Sequence, residues 1–189
     1  MKNNKFNLLI GISIWIIIQS TSCQNKTENN NQEVVSATDS SAKKPVSANG
    51  INKPENPVND FENILDQATI DTLNFLLNDF DEKTAVQIFV VTTANFSPFN
   101  SIDEYSIDMG NKWGVGLNEV NNGILVVVSS TLRQVRISTG LGMEQLLADT
   151  ICKQIVNEKM LPEFKKANYP LGIKMGVKEI MRHIISQAV

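Results

Sequence analysis

The sequence predicts an α/β fold, a three-layer α/β/α sandwich in which helices cover both faces of a mixed central sheet. Residues 86–92 form an almost continuous apolar run, which is typical of a strand buried on both faces. Residues 123–129 and 133–139 form two more strand-like runs, and the short polar stretch between them predicts an antiparallel hairpin. Helical patterns precede, separate and follow these strands, so helices are expected to cover the sheet.

The first two helices are indicated by residues that cap helix N-termini. Asp66 precedes a segment whose apolar residues, from Ile70 to Phe80, recur at helical spacing. Ser101 is followed three residues later by Glu104, which is the spacing of a capping box. Each segment is therefore predicted to be a helix that begins just after its capping residue.

The chain beyond the hairpin is predicted to be helical. The segment Gly140–Glu144 predicts a tight turn into a helix that carries Asp149 about two turns inside. Pro162 then interrupts the helical pattern, because proline disrupts the interior of a helix. Two further helical stretches are predicted at 163–167 and 171–187.

The N-terminus has the features of a bacterial lipoprotein signal. Lys2 and Lys5 precede the apolar stretch 8–18, and small residues then lead into Cys23. The apolar stretch is shorter than the roughly 20 residues that a membrane-spanning helix needs. Residues 1–22 are therefore predicted to be a signal peptide, and Cys23 is predicted to carry a membrane-anchoring lipid. An uncleaved anchor and simple secretion are the alternatives.

Residues 23–57 are predicted to be a disordered tether between the lipid and a single domain, residues 58–189. The tether is rich in Asn, Ser, Thr, Lys, Glu and Pro and has no apolar periodicity. Such a segment cannot bury enough apolar surface to offset the entropy lost on ordering. The domain that follows is long enough to build its own hydrophobic core.

Composition and cysteine usage argue against nucleic-acid binding and against catalysis by a cysteine nucleophile. The chain carries 17 Lys and Arg against 20 Asp and Glu, a net charge of −3, without a basic stripe, so nucleic acid is not an expected partner. Lipidation of Cys23 would leave Cys152 as the single thiol, with no internal disulfide. Cys152 lies on an apolar helical stripe and is interpreted as a small buried hydrophobic residue, not as a nucleophile.

An oxygen-rich corner is the candidate functional site. The start of the first hairpin strand should lie beside the end of the second, which predicts that Asn121 and Asn122 are close to Glu144, with Glu119 and Asp149 nearby. Hard cations bind carboxylate, amide and backbone carbonyl oxygens. These five residues therefore predict a weak site for Ca²⁺ or Mg²⁺. The alternative is that Glu144 and Asp149 only favour the positive end of their helix.

The chain from Val58 to Ile184 resembles the TPM domain family, which includes proteins of the thylakoid lumen and of the bacterial envelope. The matching segments follow one another in order at 58–60, 86–92, 113–116, 122–128, 136–137, 140–144 with Asp149, 161–164 and 172–173. The resemblance implies a Rossmann-like α/β/α sandwich over residues 58–189. The chain departs from the family pattern at Asn121 and Asn122, where members usually carry two acidic residues.

The resemblance implies more than one activity, because members have been assigned divalent-cation binding, phosphatase activity and the maintenance of photosynthetic membrane complexes. We expect an accessory lipoprotein on the periplasmic face of a bacterial envelope, which binds a divalent cation and assists the maintenance or assembly of an envelope membrane protein. A metal-dependent phosphatase is the alternative. That activity needs a nucleophile, a general acid or a metal pair, and His183 is the only histidine in the sequence.

Overall fold

The computed structural model describes residues 53–116 and 119–187. The predicted signal peptide (1–22), Cys23 and most of the predicted tether lie outside the described residues, so lipid anchoring stays a prediction. Within the described ranges, no helix is long and apolar enough to cross a membrane.

The described part of the chain contains four strands and five α-helices. The predicted order of helix, strand, helix, hairpin and helices is confirmed, and a short strand, β1, precedes the first helix. A 3₁₀ turn at Leu141–Met143 follows β4, and a π-helical turn at Val156–Met160 joins α3 to α4. The elements are β1 (Val58–Asp60), α1 (Gln67–Thr84), β2 (Gln87–Thr92), α2 (Ile102–Trp113), β3 (Gly123–Ser129), β4 (Gln134–Thr139), α3 (Asp149–Ile155), α4 (Leu161–Phe164) and α5 (Tyr169–Gln187).

The strands form one mixed sheet in the order β1-β2-β3-β4. The first three strands are parallel, and β4 pairs antiparallel with β3 as the second strand of the predicted hairpin. The register places Val58, Val90, Val126 and Ile137 in one row across the sheet. All four side chains are buried on the same face, so the row runs through the centre of the core.

Alternation of side chains along β2 and β3 divides the core into two layers, because successive residues of a strand point to opposite faces. Residues such as Val90 and Val126 pack with Leu73 of α1 and Ile173 of α5 on one face. Residues such as Val127 pack with α2 on the other face. The predicted three-layer α/β/α sandwich is confirmed.

The two crossover connections have opposite hands. The chain moves in the same direction across the sheet from β1 to β2 and from β2 to β3. The helix of the first crossover, α1, covers one face, whereas the helix of the second, α2, covers the other. Since right-handed crossovers that advance in one direction keep their helices on one face, one of these two departs from the right-handed rule.

Both predicted helix caps are present. Asp66 accepts a hydrogen bond from the backbone N–H of Thr69 at 2.8 Å, and Ser101 accepts one from that of Glu104 at 3.1 Å. The carboxylate of Glu104 accepts in turn from the backbone N–H of Asn100, one residue before the capping serine. These bonds satisfy N–H groups that a helix leaves without partners in its first turn, which is why both helices begin there.

Candidate functional site

The start of β3 and the end of β4 meet at one corner of the sheet. The backbone N–H of Gly142 donates to the carbonyl of Asn121 at 3.1 Å, and that of Gly140 donates to the carbonyl of Gly123 at 2.8 Å. These bonds continue the hairpin ladder past the end of β4. We call residues 119–122 and 140–144 the hairpin corner.

Glycine is required at two positions of the hairpin corner. A Cβ atom on Gly142 would lie 1.9 Å from the carbonyl oxygen of Val120, and one on Gly140 would lie 2.2 Å from that of Asn121. Both distances are far inside van der Waals contact, and both obstacles are backbone atoms. The two glycines therefore permit the close approach that brings Glu144 to the segment carrying Asn121.

Three of the predicted site residues have exposed side chains at the hairpin corner: Glu119, Asn121 and Glu144. Asn121 has a positive φ of 50°, a left-handed conformation that asparagine adopts more readily than most residues. The corner thus combines two carboxylates with an amide on surfaces open to solvent.

The fourth predicted residue, Asn122, is buried, with 8 % of its surface exposed. Its side-chain amide donates a hydrogen bond to the carbonyl of Ala85, the residue that ends α1 in a left-handed conformation. The amide of Asn122 therefore satisfies a carbonyl at the end of α1 and attaches that helix to the start of β3. Its role in the described structure is to link these two elements.

Asp149 lies elsewhere, because the predicted helix start is wrong. Asp149 is the first residue of α3 and not two turns inside a helix, since the chain forms the 3₁₀ turn and then an extended residue, Ala148, before α3 begins. Its carboxylate lies 3.9 Å from the guanidinium of Arg136, which also pairs with Asp103 at 3.0 Å. Asp149 thus belongs to an ion-pair cluster beside β4.

No group of three or more His, Cys, Asp or Glu side chains in residues 53–116 and 119–187 is arranged to hold a metal ion. A cation at the hairpin corner would therefore bind the carboxylates of Glu119 and Glu144 together with amide, backbone carbonyl or water oxygens. Ca²⁺ accepts such mixed oxygen ligands, and Mg²⁺ retains several waters. The hairpin corner offers two exposed carboxylates, Glu119 and Glu144, and affinity for a hard cation rises with the number of charged ligands.

Cys152 is buried, as interpreted from the sequence, with 4 % of its surface exposed. Burial, together with the nearby charge of Asp149, raises the pKa of its thiol to about 11. A thiol with this pKa is almost entirely protonated at neutral pH, and the thiolate is the nucleophilic form. Cys152 is therefore a packing residue.

A carboxylate contact that the sequence did not predict lies at the opposite end of the sheet. Glu62 follows β1, and its carboxylate accepts four hydrogen bonds from the backbone N–H groups and hydroxyls of Ser130 and Thr131, at 2.6–2.9 Å. Burial raises the pKa of Glu62, but these hydrogen bonds outweigh burial, so its pKa is lowered overall. The polar stretch between the hairpin strands was a sequence signal for such a contact, but it does not identify the carboxylate 68 residues away.

The chain matches known proteins over most of the described domain. A family model for the TPM domain matches residues 58–183. No curated protein is significantly similar in sequence. The solution NMR structure of the N-terminal domain of a protein from P. gingivalis is 29 % identical, covers 70 % of this chain and 83 % of that chain, and has a TM-score of 0.65.

Two more distant solved structures share the fold. The NMR structure of the BA42 protein from the psychrophilic bacterium Bizionia argentinensis is 16 % identical, with a TM-score of 0.58, and the match covers 67 % of this chain and 85 % of that chain. The N-terminal domain of the cg2496 protein from Corynebacterium glutamicum is 13 % identical, with a TM-score of 0.52, and the match covers 71 % and 81 %. At these identities the likeness shows the fold alone.

Proposed function

The chain belongs to the TPM domain family, whose model covers residues 58–183, and on that premise we propose that it is an accessory protein of the bacterial cell envelope. In this role it binds a divalent cation weakly and assists the maintenance or assembly of an envelope membrane protein. The family hosts more than one activity, so the proposal depends on the chemistry of the candidate site.

Anchoring is proposed from the sequence of the N-terminus. A lipid on Cys23 and a flexible tether to residue 57 would hold the domain close to the membrane on the periplasmic face while allowing it to reach partners. A tethered domain meets membrane partners at a raised effective concentration, which suits an accessory protein with weak contacts.

The observation that carries the cation proposal is the backbone contact between Gly142 and Asn121. It brings the segment with Glu119 and Asn121 to the segment with Glu144, and all three side chains are exposed. We propose that carboxylate and amide oxygens from both segments, with water, bind one Ca²⁺ or Mg²⁺ ion there. We expect weak affinity, because an amide at Asn121 supplies an oxygen without a charge.

Backbone amide NMR on the ¹⁵N-labelled protein tests the proposal. Addition of Ca²⁺ or Mg²⁺ should shift amides within the hairpin corner in a saturable way, with residues elsewhere unaffected. Glu144→Gln should weaken binding, because it removes one of the two carboxylates at the corner. Glu82→Gln is the matched control, since Glu82 is an exposed carboxylate at the end of α1.

Two outcomes would contradict the cation site. The first is the absence of localised shifts at millimolar Ca²⁺ and Mg²⁺. The second is equal weakening by Glu144→Gln and Glu82→Gln, which would indicate that the ion responds only to net charge. In either case the accessory role would depend on protein contacts alone.

Metal-dependent phosphatase activity is the competing function, and the same variants separate it from simple cation binding. Hydrolysis of 4-nitrophenyl phosphate would be measured with and without Ca²⁺ or Mg²⁺. We expect no turnover above that of a denatured sample. Turnover that is abolished by Glu144→Ala or Asp149→Ala, with Glu82→Ala active, would make the phosphatase the better assignment.

A further inference from the structure

A cavity of about 400 Å³ lies at the opposite end of β3 from the hairpin corner. Its wall combines Ser129 at the end of β3, the first residues of β4, α4 and the start of α5. The volume is in the range of pockets that bind small organic ligands. The seven residues of β3 separate the cavity from the hairpin corner by about 20 Å, at about 3.3 Å per residue, so the two sites are distinct.

Two cations line the mouth of this cavity. Arg133, in the β3–β4 turn, and Lys165, just after α4, are both exposed and both contribute to the lining. Within the described residues, neither forms an ion pair with a carboxylate. The neighbouring carboxylate of Glu163 pairs instead with Lys166 at 2.8 Å. The mouth therefore carries two positive charges that are available to an anion.

The floor of the cavity is apolar and aromatic. Val135 and Leu161 are partly exposed, and the rings of Phe164 and Tyr169 lie with their centroids 5.0 Å apart at an interplanar angle of 30°. Val135, Phe164 and Tyr169 pack from below against the buried core. This floor can cover an apolar or aromatic group, and its packing against the core holds it in place.

Two hydroxyl groups in the lining of the cavity can form hydrogen bonds with a ligand. Ser129 is buried, and its Oγ accepts a hydrogen bond from the backbone N–H of Leu132 at 3.2 Å, which leaves the hydroxyl proton to donate. Tyr169 adds a phenolic hydroxyl to the lining. The site also lies outside the carboxyl end of a parallel strand, where ligands of open α/β sheets bind.

We propose that this cavity binds an organic anion that has a carboxylate or phosphate head and an aromatic or branched apolar body. The head lies between Arg133 and Lys165, and the body covers Phe164 and Tyr169. A bare inorganic anion suits the mouth but not the whole cavity, because the apolar floor would then stay exposed to water. The charged mouth equally disfavours a neutral apolar ligand.

The probes for this site are benzoate, phenyl phosphate, neutral benzamide and acetate. Each is titrated into the ¹⁵N-labelled full chain in detergent micelles, with the amides of residues 133–135 and 165–169 as the readout. Benzoate or phenyl phosphate should give saturable shifts there. Benzamide and acetate should bind at least about fivefold more weakly than the better anion, because benzamide lacks the charged head and acetate lacks the aromatic body. A preference for benzoate would assign a carboxylate head, and a preference for phenyl phosphate would assign a phosphate head.

Charge variants complete the test. Arg133→Gln and Lys165→Gln should each weaken the better anion by roughly threefold to fivefold, because an exposed ion pair contributes up to about 1 kcal/mol. The control is Lys178→Gln, which removes the same charge from an exposed position on α5 outside the cavity and should leave affinity unchanged. The proposal is overturned if neither anion gives saturable shifts, if benzamide or acetate binds as well as the better anion, or if the control weakens binding as much as the cavity variants do.

Discussion

The carboxylate of Glu62 accepts two hydrogen bonds from Thr131, one from the backbone N–H at 2.8 Å and one from the hydroxyl at 2.6 Å. Glu62 follows the edge strand β1, whereas Thr131 lies in the turn between β3 and β4. The backbone N–H of Glu62 also donates to the hydroxyl of Thr92, the last residue of β2. One residue therefore connects the edge strand to the end of β2 and to the turn between β3 and β4.

Replacement of Glu62 should show how much its hydrogen bonds contribute to the free energy of unfolding. Glu62→Gln keeps the shape of the side chain but removes its charge and one acceptor oxygen, so it should lower the free energy of unfolding by about 1–2 kcal/mol. Urea unfolding of the variant would show the loss as a lower midpoint at unchanged slope. Glu82→Gln, at an exposed position, should change stability by less than about 0.5 kcal/mol. Equal effects of the two variants would mean that the hydrogen bonds of Glu62 contribute nothing specific.

The contribution of Glu62 should also depend on pH. Burial raises its pKa, but the hydrogen bonds from Ser130 and Thr131 lower it further, to below the ordinary value of 4.5. A lowered pKa in the folded state means that the stabilisation is present above pH 4.5 and is lost as the pH falls through the folded-state pKa. The difference in unfolding free energy between the natural protein and Glu62→Gln should therefore be constant from pH 7 to 5 and shrink below pH 4.5. A difference that grows on acidification would contradict this sign.

Two glycine substitutions should have opposite outcomes. In Gly142→Ala the new Cβ would lie 1.9 Å from the carbonyl oxygen of Val120, so the backbone must shift and the variant should lose about 1–3 kcal/mol of stability. In Gly110→Ala the new Cβ meets no atom within 4 Å, and alanine favours the helix α2. This variant should be neutral or up to about 1 kcal/mol more stable. Thermal unfolding of both variants checks the contrast, and a tolerated Gly142→Ala would show that the hairpin corner is not tightly packed.

Cys152 should be almost unreactive in the folded protein. Its pKa of about 11, against an ordinary 9.0, reduces the thiolate fraction at pH 8 by about a hundredfold, and burial further limits access. In a Cys23→Ser background, so that Cys152 is the only thiol, Ellman's reagent should label the folded protein more than about a hundredfold more slowly than the urea-unfolded protein. Labelling at similar rates in both states would show that the helix α3 opens readily.

Much of the fold follows from local patterns in the sequence. The apolar run in β2 and the hairpin of β3 and β4 are predicted correctly, since burial on both faces of a strand requires apolar side chains. The caps at Asp66 and Ser101 are also predicted correctly, because a cap is satisfied by the next few residues. Strand β1 could not be predicted from its own three residues, because its pairing is supplied by β2 through the register of Val58 with Val90.

The residues of the candidate site were likewise predicted only in part. Proximity of Asn121 to Gly140–Glu144 follows from the geometry of a hairpin. The partners of Asn122 and Asp149 do not, because the carbonyl of Ala85 and the guanidinium of Arg136 reach them through the packing of α1 and β4. The helix predicted to contain both Glu144 and Asp149 is replaced by the 3₁₀ turn at Leu141–Met143 and a non-helical residue, Ala148, before α3 begins.

The sequence by itself determined the order of the elements after β1, the hairpin and the three-layer architecture, since these depend on the period of apolar residues and on contacts between near neighbours. Only the tertiary structure decided which face each helix covers, that Glu62 bonds to the hairpin turn, and that Arg133 and Lys165 lie beside an aromatic floor and form no ion pair within the described residues. Glu62 and Ser130 are 68 positions apart, and the cavity brings Arg133 of the hairpin turn to residues of α4 and α5. No local pattern encodes which distant side chain will lie in contact.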